Sequence, residues 1–147
     1  MPDGDDRTAL RELVDSYASA VDRRQPAECA ALFTEDGILS GHDRSPDAPP
    51  RYERRGRAEI TAALAKIARY EVTTHHVGQQ LLIIDGDRAT GETYCMAHHL
   101  STVDGTRHDR VMSIRYLDTY ARVGGRWLIA HRRLVVDWED DRVLTCD

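Results

Sequence analysis

The run VTTHHVGQQLLIIDGDRATGETYCMAHHLST, residues 72–102, decides the architecture. Val72 to Ile84 is rich in β-branched and apolar residues and reads as a strand. Asp85-Gly86-Asp87 is its turn, and Arg88 to Thr102 returns as a second strand. Asp104-Gly105 turns the chain again. Residues 108–122 and 126–138 then make a third and fourth strand joined by Gly124-Gly125.

Upstream of this meander the periodicity changes. In residues 6–22, Leu10, Leu13, Val14, Tyr17, Ala18 and Val21 fall at i, i+3, i+4, i+7, i+8 and i+11, one apolar stripe of a helix. Arg11, Glu12, Asp15 and Ser19 take the opposite face. Pro26 suits the first position of a second, short helix that runs through Phe33. Glu35-Asp36-Gly37 is a turn, and Ile38-Leu39 a short strand. Residues 41–55 hold three of the five prolines and many charges and read as a mobile loop of the kind that forms a lid. A third helix follows Gly56, with Ile60, Ala63, Leu64 and Ile67 on one face. Helices first and strands afterwards is the α+β pattern, not alternating βα units.

The chain has 147 residues, which fits a single domain spanning 1–147. Its 20 basic and 25 acidic residues leave a net charge of −5, which argues against a nucleic-acid partner. No apolar run approaches the ~18 residues of a membrane span, and the acidic start Met1-Pro2-Asp3-Gly4-Asp5-Asp6 is unlike a signal peptide. A cytoplasmic protein with no membrane contact is expected. Cys29, Cys95 and Cys146 are odd in number and lack CxxC spacing, so no disulfide framework or cysteine zinc site is expected. No GxGxxG, P-loop, GxSxG or EF-hand spacing is present, and no nucleotide cofactor is expected.

Three groups of residues could carry chemistry. Asp22 closes the first helix, where a carboxylate opposes the macrodipole, and Tyr17 lies on the stripe leading to it. The alternative is a solvated helix end and a core tyrosine. His75-His76, His98-His99 and His131 lie inside strands; alternation sends only one of each adjacent pair inward. Singly, each is better explained as a surface or hydrogen-bonded structural histidine, but three strands with a mid-strand imidazole suggest acid–base chemistry near neutral pH. Two inward histidines and Asp22 would compose a metal triad, but HxH and HExxH spacings are missing and no metal is expected. Of Arg132 and Arg133, one must face inward, where its charge would need an anion; the alternative is an edge-strand salt bridge.

The segments Leu13 to Asp22 and Ala27 to Gly37 resemble the opening of SnoaL-like proteins of the nuclear-transport-factor-2-like superfamily. So do Gly56-Arg57-Ala58-Glu59-Ile60, Thr74-His75-His76-Val77-Gly78 and the closing stretch from Tyr120 to Arg132. The resemblance implies a cone-shaped α+β barrel: a strongly bent, mostly antiparallel sheet wrapped around N-terminal helices with an internal pocket. It is nearest to the branch of scytalone dehydratase, bile-acid 7α-dehydratase and hexachlorocyclohexane dehydrochlorinase. By that resemblance Asp22 and His76 are the catalytic pair, His76 because it directly precedes Val77-Gly78. Tyr17, His98 (with His99 as fallback) and Arg132 (with Arg133 as fallback) complete the site. The implied activity is a cofactor-free lyase or isomerase acting on a small hydrophobic ring compound such as a polyketide or steroid. Val14, Leu64, Tyr94 and Met96 would line its pocket. A polyketide cyclase doing aldol chemistry, or a non-catalytic small-molecule-binding or partner subunit, are the alternatives the superfamily offers. A homodimer or homotrimer is expected, with Val111, Ile114 and Trp138 on an apolar outward face.

Overall fold

A computed structural model describes residues 2–146. Helix α1 (Pro2–Asp22) and the short α2 (Pro26–Ala30) precede strand β1 (Phe33–Asp43) and strand β2 (Tyr52–Arg55). Helix α3 (Gly56–Ala65) runs into a 3-10 turn, Lys66–Arg69. The meander follows as β3 (Val72–Asp85), β4 (Arg88–Val103), β5 (Thr106–Val123) and β6 (Arg126–Val143). The second helix is shorter than its composition suggests because Phe33 enters β1, where its partner is Ile129. The stretch 41–55 is not one loop. Gly41–Asp43 complete β1 and Tyr52–Arg55 form β2, leaving only residues 44–51 between them. Gly41 is needed there, since any Cβ at this position would overlap the ring of Tyr52.

The six strands form one sheet in the order β2-β1-β6-β5-β4-β3, antiparallel except for the parallel pair β1–β6. It is curved and unclosed, with β2 and β3 as its edges. Bulges supply the bending. The β5–β6 register shifts twice, between Ser113 and Ile114 and between Thr119 and Tyr120, and the β3–β4 register shifts between Val77 and Gln80.

Helix α1 lies against the inner face, and its predicted stripe is the core: Leu10, Leu13, Val14, Tyr17, Ala18 and Val21 are all buried. Each end is tied by an aspartate. Near the start, Asp6 accepts from Arg122 at 2.7 and 3.0 Å and from the indole N–H of Trp127 at 2.9 Å. At the other end Asp22 reaches β3. Cys29 and Cys95 are core residues, as expected; burial pushes their thiols up to about 12 and about 11, so both stay protonated at neutral pH. The apolar outward face differs from expectation. Ile114 belongs to the inner face and Val111 is also buried, so of the expected trio only Trp138 is exposed, at 48%. No helix among the described residues is long and apolar enough to cross a membrane.

Truncating a fully buried member of the α1 stripe leaves a cavity as well as losing transfer energy. Leu10→Ala is expected to cost ~2–5 kcal/mol in denaturant unfolding, whereas Ile83→Ala, on the exposed side of the β3 edge, should change stability by under ~1 kcal/mol.

Candidate active site

The carboxylate of Asp22 is the centre of a compact network. Its Oδ1 lies 2.7 Å from His75 Nδ1 and accepts from the Thr73 hydroxyl at 2.9 Å. Its Oδ2 accepts the backbone N–H of His75 at 2.9 Å. Thr73 Oγ1 in turn accepts from Arg24, which also donates to the carbonyls of Asp22 and Tyr70. Arg24 reaches these acceptors from a left-handed conformation (φ 60°) just past the helix end. The charge that opposes the helix dipole is thus balanced by three donors and a neighbouring guanidinium. Burial pushes the Asp22 carboxyl up, but hydrogen bonds from His75 and Thr73 outweigh it and hold it below the ordinary value of 3.8.

The histidine on Asp22 is therefore His75 and not His76. The inward side chains at the start of β3 are Thr73, His75 and Val77, and His76 is exposed on the other face. Beyond the bulge, Leu82 and Ile84 pack on the core while Leu81 and Ile83 are exposed, so the inward parity changes from odd to even within one strand. The freed carbonyls at the bulge, Val77 and Gly78, accept from Arg11 of α1 at 3.3 and 2.6 Å.

On β4 the inward set is Thr93, Cys95, Ala97 and His99. His99 rather than His98 is therefore on the inner side. Its Nδ1 donates to the carbonyl of Arg110 at 3.0 Å, and its ring meets that of His75 edge-on at 5.7 Å between centroids. His98 lies on the outer face, bound to Asp109 at 2.7 Å. Tyr94 and Met96 share that outer face and cannot line an internal pocket, for the same alternation. His131 also points outward, to Ser40 at 2.9 Å.

His75 and His99 open onto a cavity of about 330 Å³. All six strands contribute to its wall, along with α1, α3 and the 3-10 turn. Tyr17 and Leu64 line it, while Val14 is packed in the core behind. Each imidazole spends Nδ1 on an acceptor, so with Nδ1 protonated the neutral ring keeps Nε2 as a free acceptor. Burial, with help from neighbouring His75 and Arg110, holds His99 below the ordinary histidine value of 6.5.

Arg132 is inward, but it does not reach the cavity wall. It is fully buried, donates to both oxygens of Asp118 at 2.9 and 2.8 Å, and packs against the rings of Tyr17 and Tyr116 at 4.1 and 3.9 Å from their centroids. Both tyrosines do line the cavity, so the guanidinium sits behind its aromatic wall. Its Nη1 has no partner among the described residues. Arg133 faces the other way. Thr73, Arg24, Tyr70 and Tyr116 are not singled out by the sequence, which names His75 only as the less favoured neighbour of His76. Nothing local marks them: Thr73 stands two residues before His75, but Thr74 stands equally before His76. Among the described residues no group of three or more metal-ligating side chains converges.

The model of the SnoaL-like domain matches residues 3–133. The chain belongs to the SnoaL-like domain family. No curated protein is a significant sequence match. Among solved structures, this SnoaL-like protein is similar to one provisionally assigned as a scytalone dehydratase from Novosphingobium aromaticivorans: 25% identity, TM-score 0.81, covering 99% of this chain and 95% of that one. A protein of unknown function from Mycobacterium tuberculosis is 26% identical with a TM-score of 0.78, over 92% and 74% of the two chains. A type 2 hexachlorocyclohexane dehydrochlorinase shares the fold at 15% identity and a TM-score of 0.75, over 93% and 88%.

The pKa directions give stability a signed pH dependence. Asp22 contributes fully above its ordinary 3.8, and the contribution is lost as pH falls through the lower folded value. His99, kept neutral by burial, contributes fully above 6.5 and loses its share as pH falls below that. Thermal unfolding followed between about pH 2.5 and pH 7 should therefore show stability falling in two stages on acidification. Asp22→Asn should flatten the lower stage and His99→Gln the upper one.

Proposed function

We propose that this protein is a cofactor-independent lyase or isomerase of the dehydratase kind, acting on a small hydrophobic ring compound with His75 as general base. One observation carries the reading: an imidazole on the wall of a ligand-sized cavity whose Nδ1 is 2.7 Å from the Asp22 carboxylate. Similarity to a structure provisionally assigned as a scytalone dehydratase supports the reaction class.

The chemistry follows from the tautomer. With Nδ1–H directed at Asp22, Nε2 of His75 takes a proton from a carbon next to a ring carbonyl. Asp22 orients the ring and stabilises the imidazolium that forms. The C–H electron pair passes into the carbonyl as an enolate. In a dehydration it then forms the C=C bond as the β-hydroxyl leaves, taking the proton back from His75 and departing as water, which regenerates the neutral base. Returning the proton to a different carbon would give isomerisation instead. Burial, first of all, and nearby Cys29 push the Tyr17 hydroxyl well above its ordinary value, so it stays protonated and able to donate to the developing oxyanion. Arg132, ion-paired with Asp118 behind the Tyr17 and Tyr116 rings, fixes the position of that wall. The aliphatic walls, such as Leu39, Leu64 and Ile114, hold the ring and limit water.

A screen of cyclic β-hydroxy ketones, followed by the absorbance of the conjugated product, identifies a substrate. On it, His75→Ala is expected to lower kcat by ~10²–10⁴-fold. Asp22→Asn should cost nearly as much, and the double variant little more than either single one, because members of a catalytic unit are not additive. His76→Ala should stay within about threefold of wild type. Circular dichroism serves as the folding control; full turnover in folded His75→Ala would end this reading.

A further inference from the structure

The cavity wall has a charge distribution that an apolar ring does not explain. The chain as a whole carries 25 acidic against 20 basic residues, yet the charged side chains on this wall are Arg51, Arg54, Lys66 and Arg69, with no aspartate or glutamate among them. Two of the arginines come from β2 and its approach, the other two cations from the 3-10 turn.

Arg51 is paired with Asp43 at 3.1 Å. The other three have no carboxylate partner among the described residues. Arg54, half-buried, donates to the backbone carbonyl of Glu53 at 2.9 Å and lies 5.6 Å from the centre of the Tyr52 ring. Arg69 donates to the Tyr70 hydroxyl at 3.1 Å and lies 4.9 Å from that ring's centre. Lys66 is exposed at the rim. The acids nearby are spent elsewhere: Glu53 on Arg55, Glu71 on Arg107 and Asp22 on His75. A half-buried guanidinium held only by a carbonyl and an aromatic face keeps donors available for an anion. Arg54 sits on β2, whereas Arg69 reaches the histidine side of the cavity through Tyr70, whose ring lies 4.9 Å from that of His99.

From this we infer that the compound bound here is an apolar ring bearing an anionic group, with Arg54 as the central selectivity residue and Lys66 and Arg69 assisting at the rim. The inference rests on the cavity being the binding site of the proposed function and adds the charge of its occupant. A carboxylate and a phosphate ester share the required chemistry, and the guanidinium fork suits both.

Isothermal titration of the full chain with three bicyclic compounds tests it: 2-naphthoate, 2-naphthyl phosphate and the neutral methyl 2-naphthoate. At least one anion should bind about tenfold or more tighter than the ester at low salt, with the advantage shrinking as salt is raised to about 0.5 M. Preference for the naphthoate assigns a carboxylate, and preference for the phosphate an ester of phosphate. Arg54→Gln should remove most of that preference while leaving ester binding within about twofold. Arg69→Gln, at an exposed position, should reduce it in the same direction and provides the readout if the first variant does not fold. Ester binding equal to that of both anions, or an unchanged preference in folded Arg54→Gln, overturns the inference and leaves the proposed function standing. Failure of all three compounds to bind also overturns the inference, while the proposed function is judged separately by the His75→Ala turnover.

Discussion

The structure depends on how one partly buried helix-end carboxylate is accommodated. Asp22 stands where the C-terminal dipole of α1 repels it, and it is stable there only because β3 brings a hydroxyl, a backbone N–H and an imidazole to it. The same contacts close the free edge of the sheet. Strand β3 is an edge strand, and its unpaired groups around positions 75–78 are taken up by Asp22 and Arg11 of the helix lying beside it. Asp6 performs the corresponding task at the far end, roughly 24 Å away along a helix rising 1.5 Å per residue. The helix is thus fixed in position and in rotation, which points Tyr17 and Val21 into the cavity.

Curvature does the rest. A flat six-stranded sheet would hold β2 and β3 at opposite borders, far apart. The bulges bend it until both edges face one space, so that Arg54 and His75 line the same cavity. Each bulge also alters which side chains face inward, so the device that shapes the cavity also chooses its occupants.

The buried arginine shows a related economy. Removing a guanidinium from water is costly, and one bidentate carboxylate is often insufficient compensation. Here Asp118 is reinforced by the Tyr120 hydroxyl, and the guanidinium packs against the rings of Tyr17 and Tyr116. The charge is therefore held rigidly beneath the cavity without occupying any of it.

Much of this was legible in the chain. The 3.6-residue stripe of α1, the period and turns of the meander and the succession of helices before strands determined an α+β domain, because these signals are local. Asp22 was identifiable from a local conflict between its charge and the helix end. The choice of histidine was not. Leu81-Leu82-Ile83-Ile84 is apolar at every position and carries no alternation, and the bulge at Val77 to Gln80 reverses parity without a marker, so His75 and His76 are indistinguishable until the strand is paired. The same holds for His98 and His99, and for Tyr94 and Met96, whose side is set by β5 and α1 rather than by neighbours in sequence. The parallel pairing of β1 with β6, the placement of Arg132 behind two tyrosines and the cations of the cavity wall all join segments distant in the chain. Only tertiary structure decides such features, because the energy that fixes them comes from contacts no local window contains.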